Sequence, residues 1–502
     1  MTLTLLDKKK TFQKWKVLSL ISLVLFGALV IVIPVTNHYF FRTFSFDYAA
    51  YNFAFHNYAH FSVSPNPVYF QGEITFLQDH LSFTFFFLAP FYWLLKWIFG
   101  TYTLLILQSL FVIWGGWASW KLIVEKTKSQ PLGFLTLILY FTLYGRFSAF
   151  SADANLMIIL SSFVPVFLLY FHRGKVWITV ACFLFLILGR ESMPLWTLFI
   201  SLFLMIIYWK DLAKRRLAII FSVASVVYFI IAFKFLIPLI EDPNRPFSLF
   251  NYSNLGETPF EALTFMFSHP IDTIELLFTN PSGDAYYDGV KGEFYFVYLL
   301  SGGILLFLRP QYILPLVPIV AQKMFNDSPI RWGIASYYDI EFAALMPLLI
   351  ALVLASMNWK KVALFLGSVA CIMSVSITWY KLEPSHCELP WAAQGKINPF
   401  VSSFWKSDLS IRRINEQLGK IPSDASVSAT GNVLPHLALR DAPHFLPSEP
   451  KNVEYIVILD RETHPFLTEE DLRSKIRTWK SDTTLRVFYE DSELLIFERK
   501  KH

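Results

Sequence analysis

Charge is scarce in this sequence. Asp, Glu, Lys and Arg together make up 16% of its 502 residues, where a soluble domain carries roughly a quarter. That deficit excludes an ordinary soluble chain. Cysteine is scarcer still: Cys182, Cys371 and Cys387 are the three. The first two fall inside apolar runs and no two have metal-ligand spacing, which excludes a disulfide framework and a zinc site. Basic residues sit scattered in short loops, and the net charge is +5. Without a basic groove interleaved with base-stacking aromatics, nucleic acid is excluded as a partner. The chain also lacks a glycine-rich phosphate loop in its tail and any repeat of solenoid type.

What it has in abundance is apolar side chains, at 55% of residues with 18% aromatic, and a mean hydropathy of +0.46. The distribution is uneven, with charges dense only from Lys381 onward. Apolar segments of membrane-crossing length recur near 17–36, 81–99, 101–123, 131–147, 154–171, 175–190, 192–209, 216–240, 293–308, 310–325, 339–356 and 360–380. The pattern predicts a polytopic α-helical membrane protein of about 11–13 transmembrane helices. Lys8, Lys9, Lys10, Lys14 and Lys16 precede the first run, Val17–Val35, and no small-x-small cleavage site follows it. That is an uncleaved signal anchor with a cytoplasmic N-terminus.

Basic residues at 121–128, 173–175, 210–216, 309 and 360–361 mark further cytoplasmic loops. Alternating between them places 145–153, 190–192, 241–292, 326–338 and the tail on the outer face of the cell membrane. The crossings between 37 and 120 come out one odd, and the loop 37–80 is placed outside on the strength of the N-terminal lysines. Domains are therefore expected at 1–380, with outer loops 37–80 and 241–292, and at 381–502, an extracytoplasmic α/β unit.

Both outer loops carry structure. Phe44–Phe61 is rich in Phe and Tyr and aligns Asp47, Tyr51, Ala54 and Tyr58 on one helical face, as an amphipathic helix in the membrane interface would. Thr258-Pro259-Phe260-Glu261 has the features of a capping box, with Phe260, Leu263 and Phe267 lining one face until Pro270. In the tail, a polar helix near 407–419 precedes a strand at 425–429 and a short helix at 433–439. A buried strand at 453–459, a helix at 468–479 and a hairpin of 484–489 with 494–498 follow.

Ionisable residues at membrane depth point to function. Arg146, Asp153, Arg190, Glu191, Arg331, Asp339 and Glu341 collect at the outer ends of predicted helices, with Asp47, Asp79 and His80 in or beside the first outer loop. Plain structural roles compete with each. Arg146, Arg331, Lys234 and Lys323 read as snorkelling cations, Tyr337 and Tyr338 as interfacial belt residues, Arg190-Glu191 as a polar hairpin turn, and His80 as an exposed helix start.

Phe46-Asp47-Tyr48 through Asn57, Gln78-Asp79-His80-Leu81-Ser82, Leu88-Ala89-Pro90-Phe91-Tyr92 and Leu107-Gln108 form one set of blocks. Tyr252 with Asn254-Leu255-Gly256, Val427-Ser428-Ala429 and Leu434–Arg440 form another. Together they resemble the domain-of-unknown-function 2079 family of predicted membrane proteins, grouped with the GT-C glycosyltransferases. The resemblance implies transfer of a hexose or pentose from a polyprenyl-phosphate carrier to an acceptor on the outer face, with Asp47 as catalytic base. His80, Arg190, Glu191, Arg331 and Tyr338 are then expected at the lipid phosphate or substrate, and Asn52, Asp79 and Asp153 on the acceptor side. The expected partners are the lipid-linked donor, membrane lipids and an acceptor of unspecified kind. The cofactor is left unassigned, a divalent metal being one candidate. Asn52, Phe53 and His56 replace an acid, a Gln and a Trp of the family pattern. The rival readings are a transporter or lipid flippase, and a non-catalytic membrane scaffold.

Overall fold

The computed structural model describes residues 2–69, 74–241, 250–390, 392–446, 453–459 and 468–500. Two compact units divide the chain, and neither is contiguous in sequence. One comprises 1–32, 108–152 and 156–398, the other 33–107, 153–155 and 399–502.

The first unit is helical. Ile340–Ala355 is apolar around nearly its whole circumference and, as such a helix must be, is buried along nearly its whole length. It packs against Leu156–His172 and Gln130–Thr142. Lys360–Lys381 lies on Gln130–Thr142, where Thr378 Oγ1 donates to the Thr142 carbonyl at 2.7 Å. Helix Thr103–Thr127 approaches Leu156–His172 at Gly115, where a Cβ would stand 2.2 Å from the Ser162 carbonyl oxygen. Small residues permit such close backbone approach inside a membrane. Gly115→Ala is therefore expected to lower stability by about 1–3 kcal/mol through overpacking, read as a fall in Tm of the purified protein.

Among the described residues five helices are long and apolar enough to cross a membrane: Gln13–Tyr39, Thr84–Thr127, Gln130–Ser151, Leu212–Ile240 and Lys360–Lys381. Four shorter apolar helices, Leu156–His172, Val176–Ile187, Met193–Ile207 and Ile340–Ala355, accompany them. The runs 81–99 and 101–123 are two helices, Thr84–Phe99 and Thr103–Thr127, separated by a turn at Gly100–Tyr102 in which Gly100 takes φ +52°. Hydropathy overstates the regular spans elsewhere. The run 293–325 is not two helices. It is Val290–Leu300, three 3-10 turns within 303–316, then Val317–Met324. Gly302 takes φ +106° there, and Pro310, Pro315 and Pro318 remove amide donors. Irregular backbone is tolerated in a membrane protein where it is buried in protein or lines a cavity, and Leu306, Tyr312 and Leu316 of this stretch are buried.

One buried ion pair of this unit joins two helices. Lys381 Nζ meets Glu293 Oε1 at 2.6 Å, and Glu293 also accepts the Glu388 amide at 3.1 Å. Arg146, expected at headgroups, is instead 1% exposed. It donates to the Tyr140 carbonyl and to Ser162 Oγ, both at 3.2 Å, with its guanidinium 4.1 Å from the Tyr140 ring centroid.

The second unit is built on a five-stranded sheet of order β2-β1-β3-β5-β4, with β1 Val427–Ala429, β2 Pro443–Phe445, β3 Tyr455–Leu459, β4 Leu485–Glu490 and β5 Leu494–Arg499. β1 runs parallel to both β2 and β3, and β5 antiparallel to β3 and β4. β3 is continuously apolar because both its faces are covered. Ile456 and Ile458 meet Leu472, Ile476 and Trp479 of helix Glu469–Ser481. Tyr455, Val457 and Leu459 join a second core that contains Ile411 and Ile414 of helix Ile411–Leu418 and, from the distant segment, Phe41, Ala49, Ala50, Phe53 and Val68.

The aromatic helix Ala50–Ala59 is therefore no interfacial helix. Every one of its residues is buried, and its rings pack on those of the segment that follows: Tyr51 on Phe76, Phe55 on Phe85, Tyr58 on Phe86.

Candidate functional site

The break between helices Val176–Ile187 and Met193–Ile207 carries Arg190 and Glu191. Pro194, in the first turn of the second helix, is tolerated because amides there have no helical acceptor. Arg190 Nε donates to Glu191 Oε1 at 2.9 Å, with both side chains largely buried. Opposite them, Pro329–Trp332 forms a short helical turn, anchored where the buried Trp332 indole donates to the Asn326 carbonyl at 2.6 Å. That turn presents Arg331, whose guanidinium lies 5.6 Å from the Tyr338 ring centroid. Glu341 stands in the first turn of Ile340–Ala355.

These groups line a cavity of about 340 Å³. Its charged members are Arg190, Glu191, Lys323, Arg331 and Glu341, with Tyr252, Tyr337 and Tyr338 beside them, and its wall is largely Phe, Leu, Met and Ile, many from Leu212–Ile240, 250–266 and 319–325. Lys323 does not snorkel. It is 4% exposed, and its ammonium donates to the Gly333 carbonyl at 2.5 Å and the Tyr338 carbonyl at 3.2 Å, in the field of Asp339 and Glu341. Tyr298 donates to Asp339 Oδ2, while Glu341 Oε2 is buried without a hydrogen-bond donor.

The turn at 252–256 closes one side. Asp327 accepts from the Ser253 amide at 2.9 and 3.0 Å and from Ser253 Oγ at 3.0 Å. Gly256 adopts φ +141°, and a Cβ there would stand 2.6 Å from Glu261 Cβ, so glycine is required twice over. Tyr252, held by this turn, lies in the field of Arg331, Glu191 and Arg190. A largely apolar chamber that also presents fixed cations suits an amphiphile with an anionic head. The guanidinium fork takes two oxygens of one phosphate or carboxylate.

Of the residues proposed from sequence at the phosphate, Arg190, Glu191, Arg331 and Tyr338 converge on this cavity. Lys323 and Tyr252 join them. Lys323 was legible as a charge within an apolar run, and Tyr252 as the head of the Tyr-x-Asn-Leu-Gly block. Glu341 had been grouped with the outer acids but not assigned to the site.

Asp47, Asn52, Asp79, His80 and Asp153 belong to the other unit. Asp47 is half-buried in the π-turn Ser45–Ala49. The Asp153 carboxylate, on a residue with φ +69°, accepts the Phe44 amide at 2.7 Å. Asn52 is 1% exposed and donates to the Thr101 carbonyl at 3.3 Å. Helix Phe76–Asp79 starts in a capping box formed by Thr75 and Gln78, and it ends on His80, which is half-buried with Nε2 at 3.6 Å from Asp79 Oδ2. The Tyr69 hydroxyl donates to Asp79 at 3.0 Å. Burial first, then the charge of Asp79 and the nearby Tyr51 and Asp47, push the Tyr69 phenol well above the ordinary tyrosine value. Among the described residues no group of three or more His, Cys, Asp or Glu side chains is placed to hold a metal ion.

The model of a family described as predicted membrane protein (DUF2079) matches residues 37–485. No curated protein matches the sequence.

Proposed function

The chain belongs to the DUF2079 family of predicted membrane proteins, and from that premise we propose that it is a membrane glycosyltransferase of GT-C type. It takes a sugar from a polyprenyl-phosphate carrier and passes it to an acceptor on the outer face. The observation that carries this reading is the cavity whose lining combines Arg190, Lys323 and Arg331 with a largely aromatic and aliphatic wall. An isoprenyl chain fits such a wall, and a phosphate the cations.

In the reaction, the acceptor oxygen bonds to the anomeric carbon as the carbon–oxygen bond to the phosphate breaks. The electron pair leaves on the phosphate, where fixed cations hold the added charge. The acceptor proton passes to a carboxylate, which the resemblance assigns to Asp47. The Arg190–Glu191 bond fixes the orientation of one guanidinium at the cavity wall.

The test is binding of a polyprenyl phosphate to the protein in nanodiscs. Arg331→Ala is expected to weaken binding ~10- to 100-fold, the scale of one charge-assisted hydrogen-bonding partner, with unchanged yield and Tm. Arg331→Lys, which keeps the charge but loses the fork, falls between. Equal affinity in all three proteins removes the phosphate from this cavity.

A further inference from the structure

One wall of the cavity is unlike the rest. Helix Pro259–Ser268 is N-capped by Thr258, which accepts the Glu261 amide at 3.2 Å, and helix Pro270–Leu276 follows after a break at His269. Around this pair the side chains sort into three stripes. Ala262, Phe265, Met266, Leu276 and Leu277 face the protein and pack with Leu255 and Phe325. Phe260, Leu263 and Phe267, then Ile271, Ile274 and Phe278, repeat at i, i+3, i+7 and are 54–85% exposed. Glu261, Thr264 and Ser268, then Asp272 and Glu275, are also exposed and form the adjoining polar stripe.

Each stripe excludes one environment. A helix pair surrounded by water would not expose six large apolar side chains in register, and one immersed in hydrocarbon would not carry three carboxylates. A three-way division into protein, acyl chain and headgroup is what the bilayer interface demands. The neighbouring wall agrees. Span Leu212–Ile240 contributes Phe229 and Phe233 to the cavity while exposing Val227, Ile230, Phe235 and Leu239, and only 17% of its most apolar window is buried. The cavity therefore lies along a seam between a lipid-facing span and a helix whose outer stripe is equally apolar.

We propose that the segment 259–278 lies in the bilayer interface and that the cavity it walls is loaded sideways from the lipid phase. The occupant of the exposed stripe is the acyl-chain region of the membrane. The proposal deepens the lipid-phosphate reading by supplying the route its ligand takes, and its first test does not depend on any ligand.

Nitroxide labels are placed singly at 267, 274, 264 and 272 in protein carrying Cys182→Ala, Cys371→Ala and Cys387→Ala, reconstituted in phosphatidylcholine vesicles. Labels at 267 and 274 are expected to relax chiefly by oxygen, at a depth of ~5–10 Å. Those at 264 and 272 are expected to relax chiefly by a water-soluble nickel chelate. Equal nickel access at all four positions overturns the proposal. For loading, Phe267→Asp combined with Ile274→Asp is expected to slow capture of a bilayer-borne isoprenyl phosphate roughly tenfold, since a charge at that depth is opposed. Binding of inorganic phosphate from water should be unchanged. Equal slowing of both, or of neither, overturns lateral loading. Failure of the unmodified protein to bind either phosphate instead strikes the lipid-phosphate reading and leaves the labelling result standing.

Discussion

Asp47→Asn is expected to lower sugar transfer ~100-fold or more, the scale on which general-base catalysis is lost, while binding of the lipid phosphate stays unchanged. The substitution is a clean probe because the backbone around it is held by other groups. The Phe44 amide is bound by Asp153, the Tyr48 amide by the Phe44 carbonyl at 2.9 Å, and the Tyr48 hydroxyl and Asn52 amide by the Thr101 carbonyl. Asn keeps the size of Asp and one acceptor oxygen, and loses the negative charge and with it the ability to take a proton at neutral pH. A helix-start cap would accept Asn almost without cost. Single-turnover transfer from a polyprenyl-phosphate sugar, with donor binding measured in parallel, separates the two roles. Unchanged turnover in Asp47→Asn removes Asp47 as base.

How far this protein is legible from sequence depends on the range of the interaction involved. The tail was largely readable because its periodicity is local. The strands at 425–429 and 453–459, the helix at 468–479 and the terminal hairpin were each marked by their own side chains; the sheet contains the strands and the helix packs on one of its faces. The strand missed was Pro443–Phe445, three residues long and opening on proline. It sits at the sheet edge, where a strand needs little signature of its own.

The aromatic segment was misread for the opposite reason. Its rings are apolar enough for a membrane interface, and nothing within 44–61 reveals that Phe53, Ala49 and Ala50 pack into a core shared with residues more than three hundred positions later. The run 293–325 deceived in a third way. Hydropathy registers that a segment is buried but not whether its backbone is helical, and three prolines and a left-handed glycine decided the latter. At the site, the two arginines and Tyr338 were legible as charge and aromatic at helix ends. Lys323 was legible as a charge but read as a snorkelling cation, because the carbonyls that hold it come from a turn with no sequence signal of its own.

Lys323 is also where removal of a single side chain should cost most. Lys323→Met keeps the length and volume of the stem and deletes the ammonium that donates to Gly333 and Tyr338. Two carbonyls then lose their donor, and Asp339 and Glu341, which share its field, lose the cation between them. Removing one partner from a buried charged group typically costs ~3–5 kcal/mol, because the remaining charge stays desolvated and uncompensated. Thermal unfolding in a single detergent should show the loss as a large fall in Tm. Overpacking or simple loss of contacts would produce a fall of any size, so the magnitude alone does not assign the cause. The triple variant Lys323→Met, Asp339→Asn, Glu341→Gln does. If stranded carboxylates are responsible, neutralising them should recover much of the Tm. If the two carbonyls are what matters, the triple variant should be no more stable than Lys323→Met. Recovery above half of the original loss assigns Lys323 as the counter-charge of the cavity floor. In the lipid-phosphate reading, its positive charge is then already balanced by Asp339 and Glu341, and phosphate affinity should depend on Arg331 more strongly than on Lys323.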